Sequence, residues 1–399
     1  MPLLSFWKSN RREVLNLNIE QILSNAGDGN LRDDSLCCEE LRRFFKACPS
    51  ESLFRYARHC LESSFDKSGF VLQDLVNELG RRLDFDVENG LYRGKSTSIG
   101  FDGIWKVKGE PALIIEVKTT DYIAIPLDKL ATYKEKLTID GRVSRDSSVL
   151  IIVGREDTGA LEAQVRGSRY AWEMRLISIE GLIKLVQIKE KSDDPGNLLQ
   201  IHQLLRPFEY TKIDKIIDVI FTTAADVESQ QNTEQALTTD EGPHHVGRTE
   251  PELIDAKRQQ AVDAFAGVNG KELIKRSRTL YWSPDKEFRV CCVVSKKYEK
   301  DHQPYWYAYY PKWDDFLAEG KESYFILSCM DRNEAFAVPY TWLSKNKNNF
   351  NITDKEGRTY WHVALTTLQG NQLAINLSKS GGKTPLKPYG FSLPVKSSS

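Results

Sequence analysis

The chain has 399 residues, too many for one ordinary domain, so two or three are expected. Hydrophobic residues make up 40% and aromatic residues 10%, enough for sizeable cores, while a formal net charge of -1 excludes a globally basic polyanion binder. Any contact with nucleic acid must come from local patches.

No stretch approaches the run of about 18 apolar residues that a membrane-crossing helix needs. The start, Met-Pro-Leu-Leu-Ser-Phe-Trp-Lys, lacks the charged and apolar regions of a secretion signal. The seven cysteines include no Cys-x-x-Cys spacing, and no histidine sits at ligand spacing near the adjacent pairs Cys37-Cys38 and Cys291-Cys292, which suits buried side chains in a reducing compartment rather than zinc. A cytoplasmic protein without membrane contact is expected.

Residues 1–50 mix short apolar and polar runs, with a helical piece at Leu41-Arg42-Arg43-Phe44-Phe45 expected to pack on the next domain or on a partner. Residues 51–221 carry an α/β pattern. Leu72, Leu75, Val76, Leu79 and Leu83 recur at helical spacing and predict an amphipathic helix over 71–83, with Glu78 at the margin of its apolar stripe and Asp74 nearer the polar face. Gly100-Phe101-Asp102-Gly103-Ile104-Trp105, a turn at Lys108-Gly109-Glu110-Pro111 and the apolar run into Ile114-Ile115-Glu116-Val117-Lys118 then predict a hairpin. A helix follows over 123–137 behind Pro126, a buried strand over 148–153, a helix over 159–172, a strand over 176–178 and a helix over 179–190. This order predicts an α/β fold with a mixed central sheet flanked by helices.

The hairpin carries the chemistry. Strand side chains alternate between faces, so Glu116 and Lys118 point one way while Ile115 and Val117 point into packing. A hard divalent cation, Mg2+ or Mn2+, takes oxygen ligands, usually one or two carboxylates plus waters. Asp102 and Glu116 would supply carboxylates and Val117 its backbone carbonyl. Lys118 beside them would orient or help deprotonate the attacking water and neutralise charge growing on a phosphate. A salt-bridged edge strand is the plain alternative.

An acidic residue, a spacer and then Glu-x-Lys on the next strand resembles the PD-(D/E)XK, or restriction-endonuclease-like, nuclease superfamily. Asp102 matches the first acid, Glu116 the second and Lys118 the lysine, with Phe101 where the family name has proline. The resemblance spans about residues 55–190 and implies a restriction-endonuclease-like fold and magnesium-dependent cleavage of DNA, expected in restriction or phage defence. It also implies a further acid on the helix before the hairpin, for which Glu78 is the candidate; a solvated flank position is the alternative. Because one such site cuts one strand, duplex cleavage implies a homodimer or higher oligomer. On the helix over 159–172, residues 162, 166 and 169 share a face, so Arg166 and Arg169, with Gln164 beside them, are candidate phosphate contacts; a surface lattice with Glu162 is the plain alternative.

Residues 222–250 are too polar to bury and read as a linker that includes His244-His245. Residues 251–399 begin with one or two helices broken near Gly267 and Gly270. They continue as six strand-like runs, at 288–294, 305–310, 324–328, 335–338, 360–364 and 373–377, which predict a small barrel or curled sheet. This part carries 22 Lys and Arg against 16 Asp and Glu, and its early half is rich in Tyr and Trp. Aromatics beside basic groups can stack bases or line a ligand pocket; alternating core aromatics are the alternative. Two other functions therefore stay open: an effector nuclease gated by a small molecule or phage protein bound at this domain, and a nuclease-like fold that binds nucleic acid without cutting.

Overall fold

The computed structural model describes residues 3–63, 65–93, 100–119, 125–154, 159–192, 195–207, 251–298, 303–355 and 358–394. The chain divides into two units, Met1–Glu241 and Gly242–Ser399. The expected linker, 222–250, lies outside the described residues. Among the described residues no helix is long and apolar enough to cross a membrane.

The first unit opens with helices α1 (Leu3–Ser9), α2 (Arg11–Asn16), α3 (Ile19–Asn25), α4 (Leu36–Ala47), α5 (Ser50–Glu62) and α6 (Ser68–Arg82). Then follow β1 (Asp86–Asn89), β2 (Gly103–Lys106), β3 (Leu113–Lys118), α7 (Leu127–Ile139), β4 (Ser148–Val153), α8 (Gly159–Arg166), β5 (Met174–Ser178), α9 (Ile179–Lys191) and α10 (Pro195–Leu204). The strands form one sheet in the order β1-β2-β3-β4-β5. β1, β2 and β3 run antiparallel, whereas β3, β4 and β5 run parallel, which the helical crossovers α7 and α8 make possible. The hairpin and the buried strand stand where the sequence predicts them; the crossover helix begins at Leu127 rather than at 123, and residues 123–124 lie outside the described residues. β1 was not expected; its four half-exposed residues give no readable alternation.

The pleat sorts side chains onto two cores. Leu113, Ile115, Leu150, Ile152 and Ile177 pack with α6, α9 and the N-terminal helices. Ile114, Val149, Ile151, Val153 and Leu176 pack with Leu130 and Leu137 of α7 and Leu161 and Val165 of α8. The first fifty residues, set apart by composition, belong to the first of these cores: Leu3, Trp7, Phe44 and Phe45 are buried in it.

α6 departs from its expected amphipathic form because it is covered on both sides. Its sheet side needs small residues: a Cβ on Gly80 would come within 2.4 Å of the Trp105 ring, and one on Gly103 within 2.2 Å of Asn77 Oδ1. Its other side meets α4 and α5, so Asp74 and Glu78 are buried rather than solvated or marginal. Asp74 accepts from Arg42 Nε at 2.9 Å and from the Tyr92 hydroxyl. Burial raises its carboxyl above the ordinary carboxylate range, opposed by Arg42 and Tyr92.

The second unit begins with α11 (Pro251–Asn269), which runs through Gly267 and ends at Gly270, where φ is +59°. Its strands are β6 (Ile274–Lys275), β7 (Leu280–Trp282), β8 (Phe288–Ser295), β9 (Tyr305–Tyr309), β10 (Glu322–Cys329), β11 (Glu334–Pro339), β12 (Ile352–Lys355), β13 (Arg358–Thr367), β14 (Leu373–Leu377), β15 (Gly382–Pro385) and β16 (Gly390–Ser392). Short helices α12 (Pro311–Ala318) and α13 (Tyr340–Asn346) interrupt them. They make two sheets rather than one barrel: β16-β11-β10-β8-β7-β6, and β12-β13-β14-β15 with β9 also on β13. The reason lies in β9, which leaves β8 and pairs with β13, so that β8 and β10 meet in parallel. Tyr305, Tyr307 and Tyr309 point into the core between the sheets, with Phe325, Leu327, Val363 and Leu365. α11 covers the far face of the larger sheet through Val262 and Phe265.

Candidate active site

Asp102 stands one residue before the first paired position of β2. Its N–H donates to Ile115 O at 3.0 Å, and its carboxylate Oδ2 accepts the Val117 N–H at 2.6 Å. The side chain thus takes a place on β3 that a neighbouring strand's carbonyl would otherwise fill. Because that N–H belongs to the Glu116–Val117 peptide, Asp102 and Glu116 are held side by side. Lys118 Nζ reaches Glu116 Oε1 at 2.5 Å, as two residues on one face of a strand should. Both lie on the α7 side of the sheet, at the end of β3 where burial relaxes; Lys118 and Glu116 side chains are 26% and 14% exposed.

α6 holds the Asp102 backbone from the other side. Gln73 Nε2 and Asn77 Nδ2 donate to Asp102 O at 3.1 and 2.8 Å, and Gly90 N–H donates to the same oxygen at 3.0 Å. Asn77 Oδ1 in turn accepts the Trp105 indole N–H at 3.0 Å, which fixes the amide's orientation. These amides escaped the sequence reading, because a hydrogen bond to a distant carbonyl leaves no trace in composition. Lys129 and Tyr133 of α7 escaped it too. They stand four apart on the helix that crosses the face bearing Glu116, a spacing that could have shown them. Tyr133, and more weakly Glu116, hold the Lys129 ammonium above its ordinary range. A Cβ on Gly100 would meet the Tyr133 hydroxyl at 3.0 Å.

The remaining expected residues lie elsewhere or are occupied. Glu78 does not join Asp102 and Glu116: its carboxylate accepts from Arg82 Nε at 3.1 Å and Arg81 Nη1 at 3.4 Å, on the side of α6 turned from the sheet. Gln164 uses both amide groups on Ile125, accepting its N–H at 2.9 Å and donating to its carbonyl at 2.7 Å, and so fastens α8 to the start of α7. α8 ends at Arg166, so residues 162, 166 and 169 do not share a helical face. Arg166 pairs with Glu162 at 3.2 Å, and Arg169 sits in the following turn with Asp128 at 3.0 Å. The arginines are 67% and 77% exposed in these pairs, which are therefore weak and leave both guanidinium groups open to solvent.

Two adjacent carboxylates in a partly dry site repel. Burial first, and the Glu116 charge second, push the Asp102 carboxyl up to about 7, against the pull of the Val117 N–H and Lys118. A carboxyl raised on folding holds its proton more tightly in the folded state. The metal-free protein should therefore lose stability as pH climbs from the ordinary carboxylate range through 7. A cation bound there competes with that proton. Calorimetric titration with Mn2+ should show affinity weakening by about tenfold per pH unit below 7, with close to one proton released per ion. Affinity independent of pH in that window would place the ion elsewhere.

Among the described residues no three His, Cys, Asp or Glu side chains cluster as a metal site. Asp102 and Glu116 instead set two carboxylates side by side, oxygen donors of the kind that suits Mg2+ or Mn2+ rather than zinc. All seven cysteines are buried, and none is in a disulfide. Compared with known proteins, the chain matches no family model and no curated sequence.

Proposed function

We propose that the first unit is a divalent-metal-dependent nuclease of the PD-(D/E)XK type, hydrolysing phosphodiester bonds of DNA. The observation that carries this reading is the 2.6 Å bond from Val117 N–H to Asp102, which sets two carboxylates and a lysine on one patch of sheet. Its frame supports it as well: an antiparallel hairpin whose second strand continues into a parallel sheet through a helix.

Asp102, Glu116 and the Val117 carbonyl would hold the cation, which when bound supplies charge stabilisation and a more acidic water. Lys118 orients the attacking water and offsets charge on the phosphate. Lys129, on the same side, adds positive potential above Glu116. Arg166 and Arg169 meet flanking phosphates, which position the strand without reading sequence. One site cuts one strand, so duplex cleavage calls for a second copy or two successive nicks. Restriction or phage defence is the setting that suits a cutting unit joined to a separate recognition unit.

The Glu116–Lys118 pair also supports a second reading, a binding fold whose charges satisfy each other without a cation. Incubation with supercoiled, linear and single-stranded DNA, with Mg2+ or Mn2+ and with chelator, separates the two. Metal-dependent nicking that chelator stops is the expected outcome. Inertness on every substrate and metal would favour the binding fold, and activity gained only with extract of infected cells would point to gating.

A further inference from the structure

The smaller sheet of the second unit has one face in the core; on its other face Ala364, Thr366 and Ala374 are also buried, and exposure rises toward Trp306, Tyr360, His362 and Lys383. On that second face, register aligns Trp306, Ala364, Asn376 and Lys383 across four strands, with His362 opposite Ala308 and Tyr360 opposite Thr353. Among these positions none is acidic. Trp306, Tyr360 and His362 are half-buried, so their rings are partly presented to solvent.

The rings are locked rather than loose. Trp306 Nε1 donates to His362 Nδ1 at 3.3 Å, and His362 Nε2 meets Thr353 Oγ1 at 2.6 Å, which leaves the imidazole neutral with its proton on Nε2. Tyr360 stacks on His362 with centroids 5.1 Å apart and planes 29° apart. Tyr310 continues the row, 5.6 Å from Tyr360, and Lys312 Nζ lies 5.6 Å from the Tyr310 ring. Lys383 is exposed at the other edge. Interior aromatics need no such acid-free surround. A pre-ordered row of ring surfaces flanked by lysines is what unpaired bases and their phosphates require, and stacking of this kind tolerates any base.

We propose that this face binds a single-stranded stretch of nucleic acid, with bases stacked on Trp306, Tyr360 and His362 and phosphates beside Lys383 and Lys312. Duplex DNA fits it poorly, since paired bases already stack on each other and offer only their edges. The inference stands apart from the nuclease reading.

The test is fluorescence anisotropy of the full chain with a labelled thymidine oligonucleotide of about 20 nucleotides, against the matching duplex, in chelator. An inert cleavage site leaves this assay unaffected. The single strand should bind more tightly than the duplex and quench tryptophan fluorescence. Tyr360→Leu and Trp306→Leu should each weaken binding by about tenfold. Lys383→Glu, at an exposed position that no core contact depends on, should weaken it severalfold and flatten its salt dependence; it decides the matter should the ring variants misfold. Equal binding of duplex, or parental affinity in Lys383→Glu or in a folded Tyr360→Leu, would overturn the proposal. So would light scattering that shows a dimer dissolved by Tyr360→Leu, which would make this face a contact between copies.

Discussion

Replacing Lys118 with alanine should leave the protein folded and lower metal-dependent cleavage by at least about a hundredfold, the usual scale for losing a group that acts on the attacking water or the developing charge. Lys118 ends β3 at a partly exposed position, so its loss costs little packing. Its removal also frees Glu116 from the 2.5 Å ion pair, so the affinity for Mn2+ should hold or rise while the rate falls. That split marks a residue acting on the reaction rather than on the ligand set. A Lys118→Ala protein that nicks plasmid at the parental rate would remove the lysine from the chemistry.

Glu78→Ala should act in the opposite sense, on stability and not on the site. The Glu78 and Arg82 side chains are both 5% exposed, and Arg82 also donates to Cys48 O at 2.8 Å and Phe45 O at 3.0 Å. It therefore ties α6 to the junction of α4 and α5. Removing one partner of a buried ion pair leaves the other charge uncompensated and costs about 3–5 kcal/mol. In a unit of this size that lowers Tm by on the order of 10 °C. Scanning calorimetry of Glu78→Ala, with Mn2+ titration below its melting point, separates the roles. An unchanged Tm with lost metal binding would return Glu78 to the active site.

The contrast between these two glutamates shows what the sequence holds and what it hides. Glu116 and Lys118 are legible because a strand's two-residue period fixes their common face whatever packs around it. Asp102 is legible because a short turn leaves the preceding strand only one way to fold back. Glu78 is not, because a helical wheel assumes a wet side and α6 has none. The α1–α5 layer that covers it was hidden in a stretch of mixed composition. Gln73 and Asn77 show the same limit, since residue type does not say which carbonyl an amide will find. Arg169 was misplaced by extending α8 past Gly167, where the chain turns. In the second unit the longer strands were visible from their β-branched and aromatic runs, but alternation does not say which sheet a strand joins. β6, β7 and β16 are too short to show a period at all.

The central claim is that Asp102 and Glu116 together hold one divalent cation. Its most direct test is isothermal titration of Mn2+ into the parent protein and Asp102→Asn at a pH above 7. Asparagine keeps an oxygen for the Val117 N–H and removes only the charge. The parent should bind one ion per chain, and the variant should lose that binding while melting at a higher temperature than the metal-free parent, because the repulsion with Glu116 is gone. An Asp102→Asn protein that binds Mn2+ as the parent does would contradict the account.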